Sequence, residues 1–125
     1  MNQRQALAEA SRYVGIYRWG NGFKIYYPWK DSDRRGARTE TERQYWYQAQ
    51  QCAALRKAEL ALWVLCDLST RMPENWREWY MEACEEMQSK QEYVRGLDAR
   101  QMLSIGVDYI LSMHRKHENT EEVYL

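Results

Sequence analysis

The chain has 125 residues and no run of about 18 apolar ones, which argues against a membrane-spanning helix. Its mean hydropathy of −0.85 points the same way. The start Met1-Asn2-Gln3-Arg4-Gln5 leads into polar helix instead of an apolar signal core, so export is not indicated and the cytoplasm is the expected compartment. Cysteine is scarce: Cys52, Cys66 and Cys84 are odd in number, widely spaced and without a CxxC pair, which fits reduced, buried thiols better than a disulfide framework. No internal repeat or low-complexity segment is present, and the length fits one domain with one modest core.

What the chain does hold is aromatic side chains, ten Tyr and six Trp with a single Phe. They supply large buried areas with polar tips that need partners. Lys and Arg total 18, as do Asp and Glu, so the formal net charge is zero. Residues 1–60 carry 11 basic against 6 acidic side chains, and residues 61–125 carry 7 against 12. Such polarity can orient an encounter with a charged partner, or the two halves can face each other in the fold.

Alternation on both sides of Gly20-Asn21-Gly22 reads as a β-hairpin, because Gly and Asn tolerate the positive φ of tight loops. A three-residue loop sets Trp19 opposite Phe23, Tyr17 opposite Ile25, Gly15 opposite Tyr27 and Tyr13 opposite Trp29. The odd-numbered aromatics then share one side, expected to pack on the helices. Arg18 and Lys24 pair on the other side, with Ile16 opposite Tyr26. An isolated hairpin is marginal in water, so one face needs a cover.

Elsewhere the pattern is helical. Asn2 with Gln5 resembles a capping box opening a short lid helix. Residues 30–38 lack periodicity and read as a basic loop, with room for a short third strand near Arg35 to Thr39. Thr39 with Glu42 forms a second capping-box pattern, opening a segment free of Gly and Pro until Pro73. Its stretch Leu60 to Cys66 is apolar all round and is the expected core. Pro73 suits a first helical turn, and Trp76, Tyr80, Ala83, Cys84 and Met87 make the stripe of a third helix. Gly96 reads as a stop and Asp98 as the cap of a fourth helix, with Met102, Gly106, Tyr109, Ile110 and Met113 inward. The expected architecture is α+β: an N-terminal hairpin on about four helices, with residues 1–38 as helix, hairpin and loop, 39–117 as helical core and 118–125 as polar tail.

Signatures of catalysis are few. His114 and His117, with Glu118 and Glu121 nearby, could in principle offer metal ligands, but HxxH on a terminal helix lacks hydrolase spacing and a second ligand pair, and a solvated helix end at the negative dipole explains it better. Gly20-Asn21-Gly22 lies between strands, whereas phosphate cradles need a strand-to-helix turn. No serine or cysteine nucleophile signature and no local acid–base pair stands out, so the chain reads as a non-enzyme without cofactor. The Glu78, Glu82, Glu85, Glu86 face reads as solvated, with Glu86 and Lys90 paired.

Binding is the better expectation. Arg34, Arg35 and Arg38 follow a hairpin bearing Arg18 and Lys24, and Arg gives bidentate contacts to phosphate while Tyr or Trp stacks on bases. The segment GIYRWGNGFKIYY followed by a helix start resembles the three-stranded DNA-binding domains of the AP2 and integrase-arm kind. It departs from them at Pro28, Asp31 and Asp33, where their sheet continues, and neutrality weakens a nucleic-acid reading. Trp, Tyr and Arg are also the commonest anchors of protein interfaces, which favours a protein partner. The expected contact surface is Arg18, Trp19, Lys24, Tyr26, Arg34, Arg35 and Arg38.

As a whole the chain resembles in type the small accessory proteins of phages and mobile elements, among them the anti-CRISPR inhibitors: compact, aromatic-rich, with a YRWGNGFKIYYPW hairpin and no enzyme motif. The resemblance implies a stoichiometric inhibitor that binds a host nucleoprotein complex or its nuclease. Replacing Arg34, Arg35 and Arg38 together by Glu is expected to abolish capture of the partner while circular dichroism stays native; unchanged capture would remove the loop from the site.

Overall fold

The computed structural model describes residues 1–28 and 38–124, apart from the side chains of 38–40 and 119–124. The architecture is α+β. In chain order it comprises α1 (Gln3–Ser11), β1 (Gly15–Trp19), β2 (Gly22–Pro28), β3 (Arg38–Arg43), α2 (Trp46–Leu68), α3 (Trp76–Tyr93) and α4 (Ala99–Tyr124). The three strands form one antiparallel sheet in the order β1-β2-β3.

The hairpin exists, but its register differs from the expected one by a residue. Gly15 pairs with Tyr26, Ile16 with Ile25, Tyr17 with Lys24, Arg18 with Phe23 and Trp19 with Gly22, so the loop is the two-residue Gly20-Asn21. Gly20 takes φ +53° while Asn21 stays at negative φ, the arrangement of a turn with Gly at its first central position. Gly22 is paired with Trp19 in the sheet and has no side chain to meet β3, where a Cβ would sit 2.7 Å from the Arg43 carbonyl. One residue of slip exchanges the faces of one strand relative to the other. Val14, Ile16, Phe23, Ile25 and Tyr27 therefore face α2, while Tyr17, Trp19, Lys24 and Tyr26 share the opposite face.

The third strand is longer and later than the sequence suggested, and it takes Thr39 and Glu42 away from their expected place at a helix start. Thr-Glu-Thr-Glu alternates with a period of two, and β-branched Thr suits a half-buried strand. Thr41, half-buried, places its hydroxyl 3.3 Å from the Tyr27 hydroxyl, whereas exposed Glu42 reaches Lys24. The helix begins only at Trp46, where the Gln48 side chain accepts from the Tyr45 N–H at 3.3 Å.

Two buried clusters share α2. Its first half, through Ala49, Cys52 and Ala53, packs on Val14, Ile25 and Tyr27 of the sheet side. The second half, through Leu55, Ala58, Ala61, Leu62 and Cys66, packs on α1, α3 and α4. Ala6 and Ala10, both buried, let α1 lie close along α2, and the expected Asn2–Gln5 capping box is formed at 2.8 and 3.0 Å. Of the expected α3 stripe, Tyr80, Ala83, Cys84 and Met87 are buried and Trp76 is half-buried, with Trp79 buried in addition. Pro73 precedes α3 by three residues and accepts the Trp76 N–H. Gly96 sits at φ +78° beyond α3, and Asp98 caps α4 reciprocally with Gln101. Gly106 brings α4 close: a Cβ there would lie 2.8 Å from Met87 Sδ and 3.0 Å from Leu62 Cδ2. The α4 backbone stays helical to Tyr124, through most of the expected tail.

The clusters meet at a buried ion pair. Glu59 is 2 % exposed, and Arg56 Nη1 donates to both its carboxylate oxygens at 2.9 and 2.8 Å. The Arg56 guanidinium also lies over the Tyr27 ring, 4.9 Å from its centroid. Burial alone would pull the Arg56 pKa down, yet the charge and hydrogen bonds of Glu59 outweigh it and the net shift is upward. On the bundle side the Tyr80 hydroxyl donates to the Glu59 carbonyl at 3.0 Å. Breaking a buried pair strands a charge. Arg56→Met is accordingly expected to lower unfolding free energy by about 3–5 kcal/mol, and the double change Arg56→Met, Glu59→Leu to recover most of it, because a packed apolar pair commonly equals a buried ion pair. Urea denaturation of both variants measures this.

Candidate interaction surface

The corrected register gathers a set of side chains on the sheet face away from α2. Tyr17 is the centre of an aromatic row, with ring centroids 6.3 Å from Trp19 and 6.0 Å from Tyr26. Lys24 Nζ stands 3.8 Å above the Trp19 ring and 3.8 Å from a carboxylate oxygen of Glu42. The Lys24 side chain is only 16 % exposed, and its charge is engaged by a ring face and a carboxylate. Gly15 has a packing role. A Cβ at that position would overlap Cζ and Oη of Tyr26, so the bare glycine lets the Tyr26 ring lie across β1.

The expected contact residues are thus divided. Trp19, Lys24 and Tyr26 are brought together. Arg18 is not opposite Lys24: it pairs with Phe23, on the α2 side of the sheet, and its guanidinium lies 5.8 Å from the Phe23 ring centroid. Arg38 opposes Pro28 in the β2–β3 ladder. Arg34 and Arg35, like Trp29, lie outside the described residues. The expectation that all odd-numbered aromatics are core fails because the face exchange sends Tyr17 and Trp19 outward; Tyr13 is 53 % exposed, while Ile25 and Tyr27 are buried.

A second cluster, absent from the expected surface, stands where the hairpin tip, the end of β3 and the start of α2 meet. Tyr45, Trp46 and Tyr47 are 52, 51 and 59 % exposed, and Trp19, on the other face of the sheet, is 54 % exposed. Trp46 packs on Phe23 with centroids 5.1 Å apart, and Tyr45 stacks on Tyr47 at 6.0 Å and 13°. Trp19, Phe23, Arg43 and Gln44 line a cleft of about 430 Å³ with the Gly20-Asn21-Gly22 turn and Glu42. The signal for this corner was present as the run Tyr45-Trp46-Tyr47, three aromatics in succession that no single helix face can bury.

Burial, with smaller effects from Cys84 and Asp67, pushes the Cys66 thiol up to about 12, so the thiolate needed for nucleophilic attack is scarce at neutral pH. The Tyr109 hydroxyl donates to Glu82 at 2.5 Å, and that bond pushes its phenol up to about 12. His114 places Nδ1 3.1 Å from a Glu118 oxygen and Nε2 3.2 Å from the Arg71 carbonyl, and both His114 and His117 lie edge-on to Trp79. Among the described residues no group of three or more His, Cys, Asp or Glu could hold a metal ion. A broad groove of about 1150 Å³ between α1, α2 and α4 is floored by Leu7, Leu62, Leu103 and Ile110, with Arg4 and Arg100 also in its lining.

Comparison with known proteins finds no family model that matches the chain, no similar curated protein and no similar solved structure. Among the described residues no helix is long and apolar enough to cross a membrane.

The aromatic row depends on the bare Gly15. Gly15→Ala is expected to push the Tyr26 ring off β1, lowering stability by about 1–3 kcal/mol through overpacking and shifting the Tyr17 and Tyr26 ring resonances in NMR spectra. An unchanged tyrosine spectrum would contradict the packing described.

Proposed function

We propose that the protein acts by binding another protein, without catalysis, and that its docking surface is the aromatic corner of Trp19, Tyr45, Trp46 and Tyr47 flanked by Arg18 and Arg43. The observation that carries this reading is the run of three large aromatic side chains at the start of α2, each about half exposed, with Trp46 packed on Phe23 and Tyr45 stacked on Tyr47, next to a hairpin tip whose half-exposed Trp19 shares a cleft with Arg43 and Gln44. Trp, Tyr and Arg dominate interface hot spots because they desolvate much area while keeping a polar tip. Rings already braced by Phe23, by Lys24 and by each other lose little conformational entropy on binding. The outward row of Tyr17, Trp19 and Tyr26 extends this surface along the sheet, and the basic loop with Arg34, Arg35 and Arg38 adjoins it in sequence.

Within that reading, the type resemblance supports a stoichiometric inhibitor of a host defence complex, acting in the cytoplasm by occupying the site at which a nucleoprotein complex or nuclease recruits its target. A nucleic-acid partner is less well supported. Lys24 is neutralised by Glu42, and the chain as a whole has no positive excess to drive counterion release.

Affinity capture from the native host, with the wild-type chain against Trp19→Ala and Trp46→Ala, tests the assignment. Each variant is expected to weaken capture by on the order of 30-fold, the size of a hot-spot loss. Leu68→Ala, at the far end of α2 and 60 % exposed, should leave capture unchanged. Equal capture by all four chains would move the interface elsewhere, and binding that collapses steeply with added salt and follows co-purified nucleic acid would favour the nucleic-acid reading.

A further inference from the structure

The groove between α1, α2 and α4 carries charge of one sign. Arg4 and Arg100 belong to its lining, which holds no Asp or Glu, and neither arginine has a carboxylate partner among the described residues. Each stands in the first turn of its helix, where the macrodipole is positive. Asp98, two residues before Arg100, is turned to the Gln101 N–H.

The two cations lie at opposite ends of the groove. The chain leaves α1 through Val14, which packs with Ala49 and Ala53 of the first half of α2, so Arg4 at the start of α1 lies toward the far end of α2. The α4 helix meets Leu62 at Gly106 and the Arg71 carbonyl at His114, so Arg100 lies back toward the middle of α2. Between them the surface is apolar, with Leu7, Leu65 and Val107 partly exposed and Leu111 49 % exposed.

The outer face of α3 has the converse pattern. Met81 is 55 % exposed, and about one turn to either side of it stand the exposed Glu78 and Glu85. Residues three and four apart share a helix face, so these three form one ridge about 10 Å long with a carboxylate at each end. Neither Glu78 nor Glu85 is in an ion pair among the described residues, whereas Glu82 is held by the Tyr109 hydroxyl and Arg77 is turned to the Trp63 and Trp76 rings.

We propose that the occupant of the groove is a second copy of this chain, whose α3 ridge seats Met81 on the apolar stretch and sets Glu78 and Glu85 against the arginines at the two ends. The order acid, apolar, acid meets base, apolar, base, and a helix lies between two helices. The flexible thioether of Met81 suits an irregular apolar floor. A phosphate backbone would match the arginines but not the apolar stretch between them. The α1 and α3 helices each pack on α2 and α4, with the groove on the α1 side and the ridge on the α3 side. The contact is therefore heterologous, joining different patches of the two copies, and it extends into rows instead of closing a two-fold dimer. The sheet takes no part, so a row presents one aromatic corner per copy and raises avidity for a target with repeated sites.

Sedimentation velocity of the full-length chain over a concentration series tests the proposal. At low salt the average mass should rise with concentration beyond that of a dimer, and added salt should reverse the rise, because exposed charge pairs are screened. Arg4→Glu with Arg100→Glu, and separately Glu78→Arg with Glu85→Arg, should each weaken self-association at least about tenfold by setting like charges together, with circular dichroism as in the wild type. Mixed one to one, the two reversed chains should associate again, since each supplies the charge that the other has exchanged. Met81→Ala, which leaves every charge in place, should weaken association by a smaller factor. A wild-type chain that stays monomeric, a mass that stops at the dimer, reversed chains that associate alone or fail to recover on mixing, or full association of Met81→Ala would each overturn the proposal.

Discussion

The arrangement depends on α2 serving two layers at once, and on the buried Arg56–Glu59 pair at the point where it passes from one to the other. A helix that packs a sheet with its first half and a three-helix group with its second has no free face in the middle. An aromatic ring from β2 lies against the guanidinium of the pair, and a tyrosine hydroxyl from α3 bonds the main-chain carbonyl of Glu59. Taking two charges from water is costly, and the contact of Arg56 Nη1 with both carboxylate oxygens, with a ring beneath the guanidinium, offsets part of that cost. An apolar pair could fill the volume, but it would not hold the Tyr27 ring by a cation. The pair thus bears on how the sheet meets α2, while the bond from Tyr80 to the α2 backbone ties α3 to the same turn.

The exposed corner follows from this placement. With α2 centred under Ile25 and Tyr27, its first turn emerges just past the end of β3, and the consecutive aromatics at that turn cannot all reach the core. Trp46 turns back to Phe23, while Tyr45 and Tyr47 stack on each other in the open. Across the sheet, the cation–π contact of Lys24 keeps the Trp19 ring in place and removes one cation from the charge available to a ligand. The same chemistry that fills the interior, large rings with a single donor each, thus appears on the surface as a rigid set of donors beside apolar faces.

Much of the helical part was legible in the sequence because its signals are local. The Asn2–Gln5 box, the Asp98 cap, Gly96 and the Trp76–Met87 stripe each depend on residues within one or two turns, and each is present, the stripe with Trp76 only half-buried. The sheet was read less well. Thr39 with Glu42 satisfies the capping-box pattern and the strand pattern equally, and only pairing with β2 decides between them. The candidate site inherits that error: Arg18 was grouped with Lys24 through the wrong register, and Tyr17, Tyr45, Trp46 and Tyr47 were assigned to helix or core.

The sequence by itself determined that this is an α+β chain with an aromatic hairpin, a polar exterior and a central helix too apolar to be anything but buried. Short-range periodicity and capping are encoded within a few residues, and no partner is needed to recognise them. Tertiary structure alone decided which aromatics are inside. A single residue of register, set by the turn at Gly20-Asn21 with bare Gly22 against β3, exchanges one strand's faces, and that choice depends on contacts between segments some 20 residues apart.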